Sequence, residues 1–346
     1  MKTSITIGIL VACIFLLGHA GLVGAACDPD GDVQFICGPV SPEDLISVPQ
    51  SPWVIISSME NEGHLYLADT RDHTAAILFP TEMSKQQHDT GAYGSCPGPV
   101  SRQFRPHGLS IRSGTGGIHT LYAIGHGDRE SVEVFRLDVS GTSPTATWIG
   151  CVVAPESVSL NSVTALPDGG LAATNFMRPL GEVWEWQPAA GWSKVPGSEM
   201  SGPNGLLVSE DGQWFYIGAH TDGSVIRLSR GQTPIRKNEV SVGFQVDNLR
   251  WAPDGSLLAA GQAASGDNTV MDCVRDRKCE GFSSRVSRVD PLSLAADEIV
   301  QYPSNEHVIL GTGAIQVGNE MQMIRIGNPH GAVAPGHSDG AIGKDP

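Results

Sequence analysis

The chain has 346 residues and a formal net charge of −15 at pH 7, because 37 Asp and Glu residues outnumber 22 Lys and Arg residues. So acidic a chain excludes nucleic acid as a partner, since binding to phosphates requires a basic surface, and it suits a protein that holds a divalent cation. The length is enough for a large hydrophobic core, so disulfides are not needed merely to fold.

The first 26 residues have the layout of a secretory signal peptide. Lys2 precedes an apolar run, and the small residues Gly24, Ala25 and Ala26 stand just before Cys27. The run is too short and too close to this cleavage-like site to favour a membrane span. We therefore expect a secreted or periplasmic protein, which associates with a membrane only if the leader stays uncleaved or Cys27 carries a lipid.

Six cysteines follow the leader, an even number that predicts disulfides in an oxidising compartment. No Cys-x-x-Cys pair occurs among them, so a metal cluster is not expected. Six cysteines allow fifteen pairings. Proximity alone favours a bond between Cys273 and Cys279, and the other pairings stay open. The six residues are Cys27, Cys37, Cys96, Cys151, Cys273 and Cys279.

The rest of the chain repeats one hairpin plan. Each copy has a polar residue, a short apolar strand, a turn and a second apolar strand, and the three clearest copies turn at an Asp-Gly pair. The spacing is regular, because 43 residues separate Asn161 from Asn204 and another 43 separate Asn204 from Asp247. The clearest copies cover 160–176, 202–220 and 246–262, and looser copies cover 42–58, 105–126 and 311–328.

A repeat of about 40–45 residues that contains several short strands is typical of one propeller blade. The six copies therefore predict an all-β fold, a six-bladed β-propeller over residues 27–331. No long segment keeps a helical period of 3.6 residues, so we expect almost no helix. Residues 332–346 are predicted to form a flexible C-terminal tail.

Polar side chains open the first strand of each copy. In a propeller this strand lines the central channel, so equivalent residues of different blades point toward one axis. Carboxylate and amide oxygens are the ligands that Ca²⁺ prefers, whereas zinc would need cysteines or several histidines. The sequence therefore predicts a calcium site, and the alternative is that these residues only form caps and turns. They are Glu43, His107, Asn161, Asn204, Asp247 with Asn248, and Thr312.

Two histidines stand at the outer ends of one predicted hairpin. His107 opens its first strand and His126 ends its second, so the two imidazoles can reach each other on the face that carries the predicted metal. Imidazole transfers protons near neutral pH, and one histidine can hold the tautomer of another. We therefore predict that His107 and His126 are catalytic, with His220, which ends a returning strand in a later copy, as a reserve base.

The segments that carry these residues resemble the paraoxonase family of calcium-dependent arylesterases and lactonases, which is grouped with gluconolactonase-type six-bladed propellers. The resemblance runs from Cys37 to about Gly331, and its most specific parts are the H-G-[IL]-S segment in FRPHGLSI and the following GHGDRESVEVF. It implies that His107 and His126 form a catalytic dyad beside a catalytic calcium ion. The calcium ligands that it implies are Glu43, Asn161, Asn204, Asp247 and Asn248.

The resemblance also implies a second, structural calcium ion, bound by Asp44 and the main-chain carbonyl of Leu109. Ser162 stands where the family has Asp, which removes a charge from that second site. The family also joins its termini by a long-range disulfide. No cysteine follows Cys279 here, so the ring of blades must close in another way.

The predicted function is a secreted, calcium-dependent hydrolase of lactones or aryl esters, in which Ca²⁺ polarises the carbonyl and the histidine pair activates water. The expected partner is a small lactone or ester. Two alternatives stay open. One is a gluconolactonase-like hydrolase of sugar lactones with the same metal site and a more polar pocket. The other is a calcium-stabilised binding propeller without turnover.

Overall fold

The structure, a computed structural model, describes residues 28–31, 33–265, 269–270, 272–273, 278–305, 308–326 and 335–337. The predicted leader, residues 1–26, lies outside these ranges, as does Cys27. Among the described residues, helix is confined to Val270, Asp272 and Cys273, so the prediction of an all-β fold is confirmed. Within these ranges no helix is long and apolar enough to span a membrane.

The strands, numbered β1 to β25 in chain order, form a β-propeller whose five complete blades are antiparallel sheets of consecutive strands. Blade 1 contains β2 (Pro42–Ser47), β3 (Trp53–Ser58), β4 (Leu65–Asp69) and β5 (Thr74–Phe79). Blade 2 contains β7 (Pro106–Arg112), β8 (Ile118–Gly125), β9 (Ser131–Asp138) and β10 (Thr145–Val153), with β6 (Lys85–Gln86) added in parallel beside β10. Blade 3 contains β11 (Leu160–Ala165), β12 (Leu171–Asn175), β13 (Glu182–Gln187) and β14 (Gly191–Lys194).

Blade 4 contains β15 (Pro203–Val208), β16 (Trp214–Ala219), β17 (Ser224–Ser229) and β18 (Lys237–Ser241). Blade 5 contains β19 (Gln245–Trp251), β20 (Leu257–Ala264), β21 (Phe282–Val289) and β22 (Ala296–Pro303). Two further antiparallel pairs complete the described strands. They are β23 (Leu310–Val317) with β24 (Glu320–Ile326), and β1 (Val33–Phe35) with β25 (Pro335–His337).

The predicted Asp-Gly turns connect the first two strands of blades 3, 4 and 5. Gly169, Gly212 and Gly255 have φ angles of 98°, 69° and 83°, which a residue without a Cβ adopts at little cost. The amide of Gly212 donates a 2.8 Å hydrogen bond to the carbonyl of Ser209. These tight turns explain why the repeated pattern in the sequence has so constant a length.

Six inner strands surround the axis. Neighbours in this ring are, in order, β2, β7, β11, β15, β19 and β23, and β23 lies beside β2 again. The prediction of six complete blades is nevertheless wrong for the described residues, which form five. The pair β23–β24 occupies the place between blades 5 and 1, and β25 lies beside β24.

The two ends of the chain meet in the pair β1–β25, in which Val33 lies opposite His337 and Phe35 opposite Pro335. Residues 335–337 therefore belong to a sheet, although the sequence predicts a flexible tail over 332–346. The other residues of that tail lie outside the described ones. Main-chain pairing thus joins the N-terminal and C-terminal segments without the C-terminal cysteine that the chain lacks.

Apolar side chains between neighbouring blades form the core. Between blades 1 and 2, for example, Phe79, Phe135 and Trp148 are buried in one cluster. The disulfide Cys96–Cys151 belongs to that cluster and fastens the loop before β7 to β10. A second disulfide, Cys273–Cys279, confirms the pairing favoured by proximity in the sequence. Such disulfides are typical of proteins that mature in an oxidising compartment.

Candidate active site

A β-bulge recurs at the same place in the inner strands. In each strand, the pairing with the next strand of the sheet shifts at the polar residues that open the strand. A bulge breaks the alternation of side chains along a strand and changes their direction, so two consecutive side chains can point toward the axis. The shifts enclose Glu43 and Asp44, His107 and Gly108, Asn161 and Ser162, Asn204 and Gly205, Asp247 and Asn248, and Thr312.

Four of the five implied calcium ligands are joined in pairs across blades. The amide of Asn204 donates a 2.7 Å hydrogen bond from Nδ2 to Oδ1 of Asp247. The amide of Asn248 donates from Nδ2 to Oε1 of Glu43, at 3.1 Å. The fifth, Asn161, lies on β11, the inner strand next to β15. All five residues are buried, so their oxygen atoms are withdrawn from bulk water.

Four buried oxygens in this group have no hydrogen-bond donor: Glu43 Oε2, Asn161 Oδ1, Asn204 Oδ1 and Asn248 Oδ1. A buried polar atom without a partner costs about 1–3 kcal/mol. All four are acceptors, and they belong to residues at matching places in four inner strands. Thr312 differs, because its hydroxyl donates to the main-chain carbonyl of Glu43 at 2.6 Å. Ca²⁺ binds such carboxylate and amide oxygens, so this donor set fits one calcium ion.

The carboxyl groups show the same deficit of positive charge. Burial raises the pKa of Glu43 well above its usual range, and the neighbouring charge of Asp44 raises it further. Burial, followed by the charge of Glu43, likewise raises the pKa of Asp247. A bound cation would favour both ionised carboxylates and so reverse these shifts. In the described part of the chain no cluster of three or more His, Cys, Asp or Glu residues is placed to hold a metal ion.

The two predicted catalytic histidines are within hydrogen-bond distance of each other. His107 Nδ1 lies 2.8 Å from His126 Nε2, and His107 Nε2 lies 3.2 Å from Glu43 Oε2. Burial lowers the pKa of His107 to about 4, so this imidazole is neutral near pH 7 and can accept a proton. One end of the pair therefore lies beside Glu43 Oε2, which is one of the unpartnered oxygens.

The residues around Asp44 do not fit the second calcium ion that the resemblance implies. The guanidinium of Arg250 contacts Asp44 Oδ2 through Nη2 and lies 3.3 Å from the carbonyl oxygen of Leu109, so it faces both expected ligands. The backbone amide of Leu109 also donates to Asp44 Oδ2, at 2.7 Å. Ser162 contributes no charge, and its hydroxyl oxygen accepts from the amide of Leu206. These residues do not fit a second calcium ion, because the Arg250 side chain already supplies the positive charge.

His220, the reserve base, lies in a different environment. Its Nδ1 is 3.0 Å from Arg178 Nη2 and its Nε2 is 3.2 Å from Gln262 Nε2. Burial, and then the charge of Arg178, lowers its pKa to about 4. Gln262 also hydrogen-bonds Asp247, so this polar group adjoins the candidate site.

Sequence reasoning missed three side chains that shape this site: Glu130, Arg250 and Gln262. Glu130 carries a recognisable signal, because it stands four residues after His126 in GHGDRE, and its carboxylate reaches that imidazole. Arg250 lies on β19, at a place where the other copies have no charged residue to suggest a role. Gln262 lies on β20, at the place that His126 and His220 take in their copies, so the repeat does give a signal for it.

No family model matches the chain, and no curated protein sequence matches it. Solved structures share its fold. A gluconolactonase from Xanthomonas campestris is 14% identical, with 88% of this chain and 90% of that chain covered and a TM-score of 0.53. A luciferin-regenerating enzyme is 11% identical over 90% and 97%, with a TM-score of 0.53. A catalytically inactive virginiamycin B lyase from Staphylococcus aureus, with quinupristin, is 11% identical over 88% and 99%, with a TM-score of 0.51.

Identities this low show a common β-propeller fold alone. The names of these proteins include both a lactonase and a lyase, so the fold does not select one reaction. Function has to be argued from the side chains at the axis.

Proposed function

We propose that this protein is an exported, calcium-dependent hydrolase of lactones or aryl esters. The observation that carries the proposal is the group of four unpartnered buried oxygens, one of which lies beside the hydrogen-bonded pair His107 and His126. The calcium ligands would be Glu43, Asn161, Asn204, Asp247 and Asn248. When bound, the ion would supply a Lewis acid for the carbonyl oxygen of the substrate.

His107 is the general base in this proposal. Its Nε2 takes a proton from a water molecule whose oxygen adds to the carbonyl carbon of the substrate. The bond from that carbon to the ester oxygen then breaks, and the leaving oxygen receives a proton. A lactone gives a hydroxy acid, and an aryl ester gives an acid and a phenol. His126 hydrogen-bonds Nδ1 of His107 and so keeps the base oriented toward the site.

Export is supported by the disulfides Cys96–Cys151 and Cys273–Cys279 together with the signal-peptide pattern of residues 1–26.

The deciding experiment is hydrolysis of a panel of aliphatic lactones and aryl esters by the purified protein, first with added Ca²⁺, then with a chelator, then with Ca²⁺ restored. We expect activity that is lost on chelation and recovered on restoration. Hydrolysis that persists unchanged in the chelator would disprove the calcium dependence. A protein that binds Ca²⁺ but hydrolyses no member of the panel would instead support a binding propeller.

A sugar-lactone hydrolase is the second candidate, and one local observation favours it. Gln262, with an unpartnered buried Oε1, stands beside His220 and Asp247, and Arg178 adjoins His220. These groups could hydrogen-bond the hydroxyls of a polar substrate. Aldonolactones should therefore be included in the panel. A preference for them over aryl esters, which is weakened in Gln262→Leu, would favour this candidate.

A further inference from the structure

Glu130 is a carboxylate at the far end of the histidine pair, one residue before β9. Its Oε2 lies 2.9 Å and its Oε1 3.0 Å from His126 Nδ1. The backbone amide of Leu160, the first residue of β11, donates a 2.6 Å hydrogen bond to Oε1. The carboxylate is thus held by the neighbouring blade and directed at the imidazole, and the side chain is 28% exposed.

An ionised carboxylate accepts hydrogen bonds and cannot donate them. His126 must therefore carry its proton on Nδ1 to bond with Glu130. In the neutral ring this leaves a lone pair on His126 Nε2, which accepts from Nδ1 of His107. The same reasoning leaves the lone pair of neutral His107 on Nε2, the nitrogen that is 3.2 Å from Glu43 Oε2.

The opposite order of protons is also available to two neutral imidazoles. In that order His107 Nε2 donates to Glu43, His126 Nε2 donates to His107, and the lone pair ends on His126 Nδ1. His107 then has no free electron pair on the side of the candidate site, so it cannot take a proton there. Glu130 and Glu43, the carboxylates at the two ends of the histidine pair, favour opposite directions for this chain of hydrogen bonds.

We propose that Glu130 is a positioning residue that fixes this direction and so makes His107 a base on the side of Glu43. The proposal rests on the hydrolase function proposed above. Glu130 acts through His126, the imidazole that its carboxylate reaches. The closest physical parallel is the aspartate of a Ser-His-Asp triad, whose replacement by Asn leaves the imidazole in the wrong tautomer.

Glu130→Gln is an informative substitution because the Leu160 amide constrains it. That N–H donor retains the amide oxygen of Gln at the place of Oε1, 3.0 Å from His126 Nδ1, so the NH₂ group occupies the place of Oε2, 2.9 Å from the same nitrogen. His126 Nδ1 then faces one acceptor and one donor in place of two acceptors, so the variant weakens the preference for Nδ1–H and lets the chain of hydrogen bonds reverse in part of the molecules. We expect kcat to fall about 10-fold or more with KM little changed.

Two controls separate this role from a merely structural one. Asp128→Asn removes a carboxylate from the exposed part of the same loop and should leave kcat within about twofold of the parent protein. In the background of His126→Gln, adding Glu130→Gln should cause no further loss, because the partner through which Glu130 acts is gone. An additional loss there as large as in the parent protein would overturn the proposal.

A second readout needs no substrate. In protein labelled with ¹⁵N-histidine, two-bond ¹H–¹⁵N spectra distinguish the two neutral tautomers, and the variants His107→Gln and His126→Gln assign the two rings. We expect Nδ1–H on both rings in the parent protein and an increased share of Nε2–H on both in Glu130→Gln. Identical tautomers in the two proteins would overturn the proposal. If the tautomers shift but the parent protein hydrolyses nothing, the proposed function fails and the assignment of Glu130 stands.

Discussion

Two consecutive residues of β2, Glu43 and Asp44, are both buried carboxyl groups, yet their surroundings differ in charge. Asp44 contacts the guanidinium of Arg250 and accepts an amide hydrogen from Leu109 at 2.7 Å. Glu43 accepts one hydrogen bond, from the side-chain amide of Asn248 at 3.1 Å, and its second oxygen has no donor. The chain therefore neutralises one carboxylate with its own cation and leaves the other without one.

The two residues of this bulge therefore have different roles: Asp44 lies in a structural ion pair, and Glu43 belongs to the candidate site. A buried charge with a well-hydrogen-bonded partner is tolerated, whereas one without a partner shifts its pKa or binds an ion. The closed group around Asp44 holds blades 1, 2 and 5 together, because Arg250 also donates to the carbonyl of Leu45 at 2.7 Å. The open group around Glu43 and Asp247 is the one that we propose binds a cation from solution.

The largest expected effect tests the open group as a catalytic site. His107→Gln removes the proposed base but none of the proposed calcium ligands. Loss of a general base commonly costs about 10²–10⁴-fold in rate. We therefore expect kcat for lactone or ester hydrolysis to fall by that order, while calorimetric titration still detects calcium binding with little change in affinity. Full activity in the variant would remove His107 from the mechanism.

Arg250→Met tests the closed group. The substitution keeps an apolar stem of similar length and leaves Asp44 as a buried charge without its partner. Breaking a buried ion pair in this way costs about 3–5 kcal/mol, so we expect a loss of that size in the free energy of unfolding, measured by urea denaturation. Added Ca²⁺ should not restore it, because Ser162 provides no second carboxylate.

Arg285→Met is the matched control for that experiment, since Arg285 forms an ion pair with Glu298 at the surface of blade 5. Its loss should cost clearly less than the loss of Arg250, because exposed pairs contribute little. The double variant Asp44→Asn with Arg250→Met should recover part of the stability. Equal losses in the free energy of unfolding for the two variants would show that the Arg250 guanidinium stabilises the fold no more than an exposed one.

Calcium binding should be confined to the open group, with one ion per chain. At a concentration one hundred times Kd, an ion that binds only the folded state stabilises it by about 2.7 kcal/mol. We expect this stabilisation in the parent protein and in Asp254→Asn, which alters an exposed turn of blade 5, but not in Asp247→Asn. Two ions per chain in a titration would mean that the region of Asp44 also binds calcium.

Much of the fold could be predicted because it depends on interactions between residues that are close together in the sequence. The Asp-Gly turns and the 43-residue spacing from Asn161 to Asn204 and on to Asp247 reflect hairpins whose geometry is set by neighbouring residues. The strands found outside β23 and β24 could not be predicted in the same way. They include a pairing between Val33–Phe35 and Pro335–His337, which are far apart in the sequence and follow no repeat.

The same distinction between local and distant contacts applies to the candidate site. The repeat positions alone were enough to predict that Glu43 lies near Asn248 and Asn204 near Asp247, because the inner strands converge on the axis. The contact between Arg250 and Asp44 was not predictable, since it joins strands 206 residues apart and no repeat relates the two residues. A resemblance in local segments cannot reveal where a distant side chain supplies the positive charge.

The smallest expected effect is a difference in how stability depends on pH. In the calcium-free protein the raised pKa of Glu43 and of Asp247 favours the protonated carboxyls in the folded state. Their contribution to stability is therefore present at low pH and is lost as the pH rises through the raised pKa. The lowered pKa of His107, about 4 against an ordinary 6.5, acts in the opposite sense, but only below about pH 6.5.

Thermal unfolding from about pH 6.5 to 8.5 therefore isolates the carboxyl groups. In a chelator, the melting temperature should decline with rising pH, and the decline should be weaker in Glu43→Gln. With saturating Ca²⁺ the decline should disappear, because a bound ion keeps both carboxylates ionised in the folded state. Parallel pH profiles with and without calcium would show that Glu43 and Asp247 do not face the ion, and that the open group is not its site.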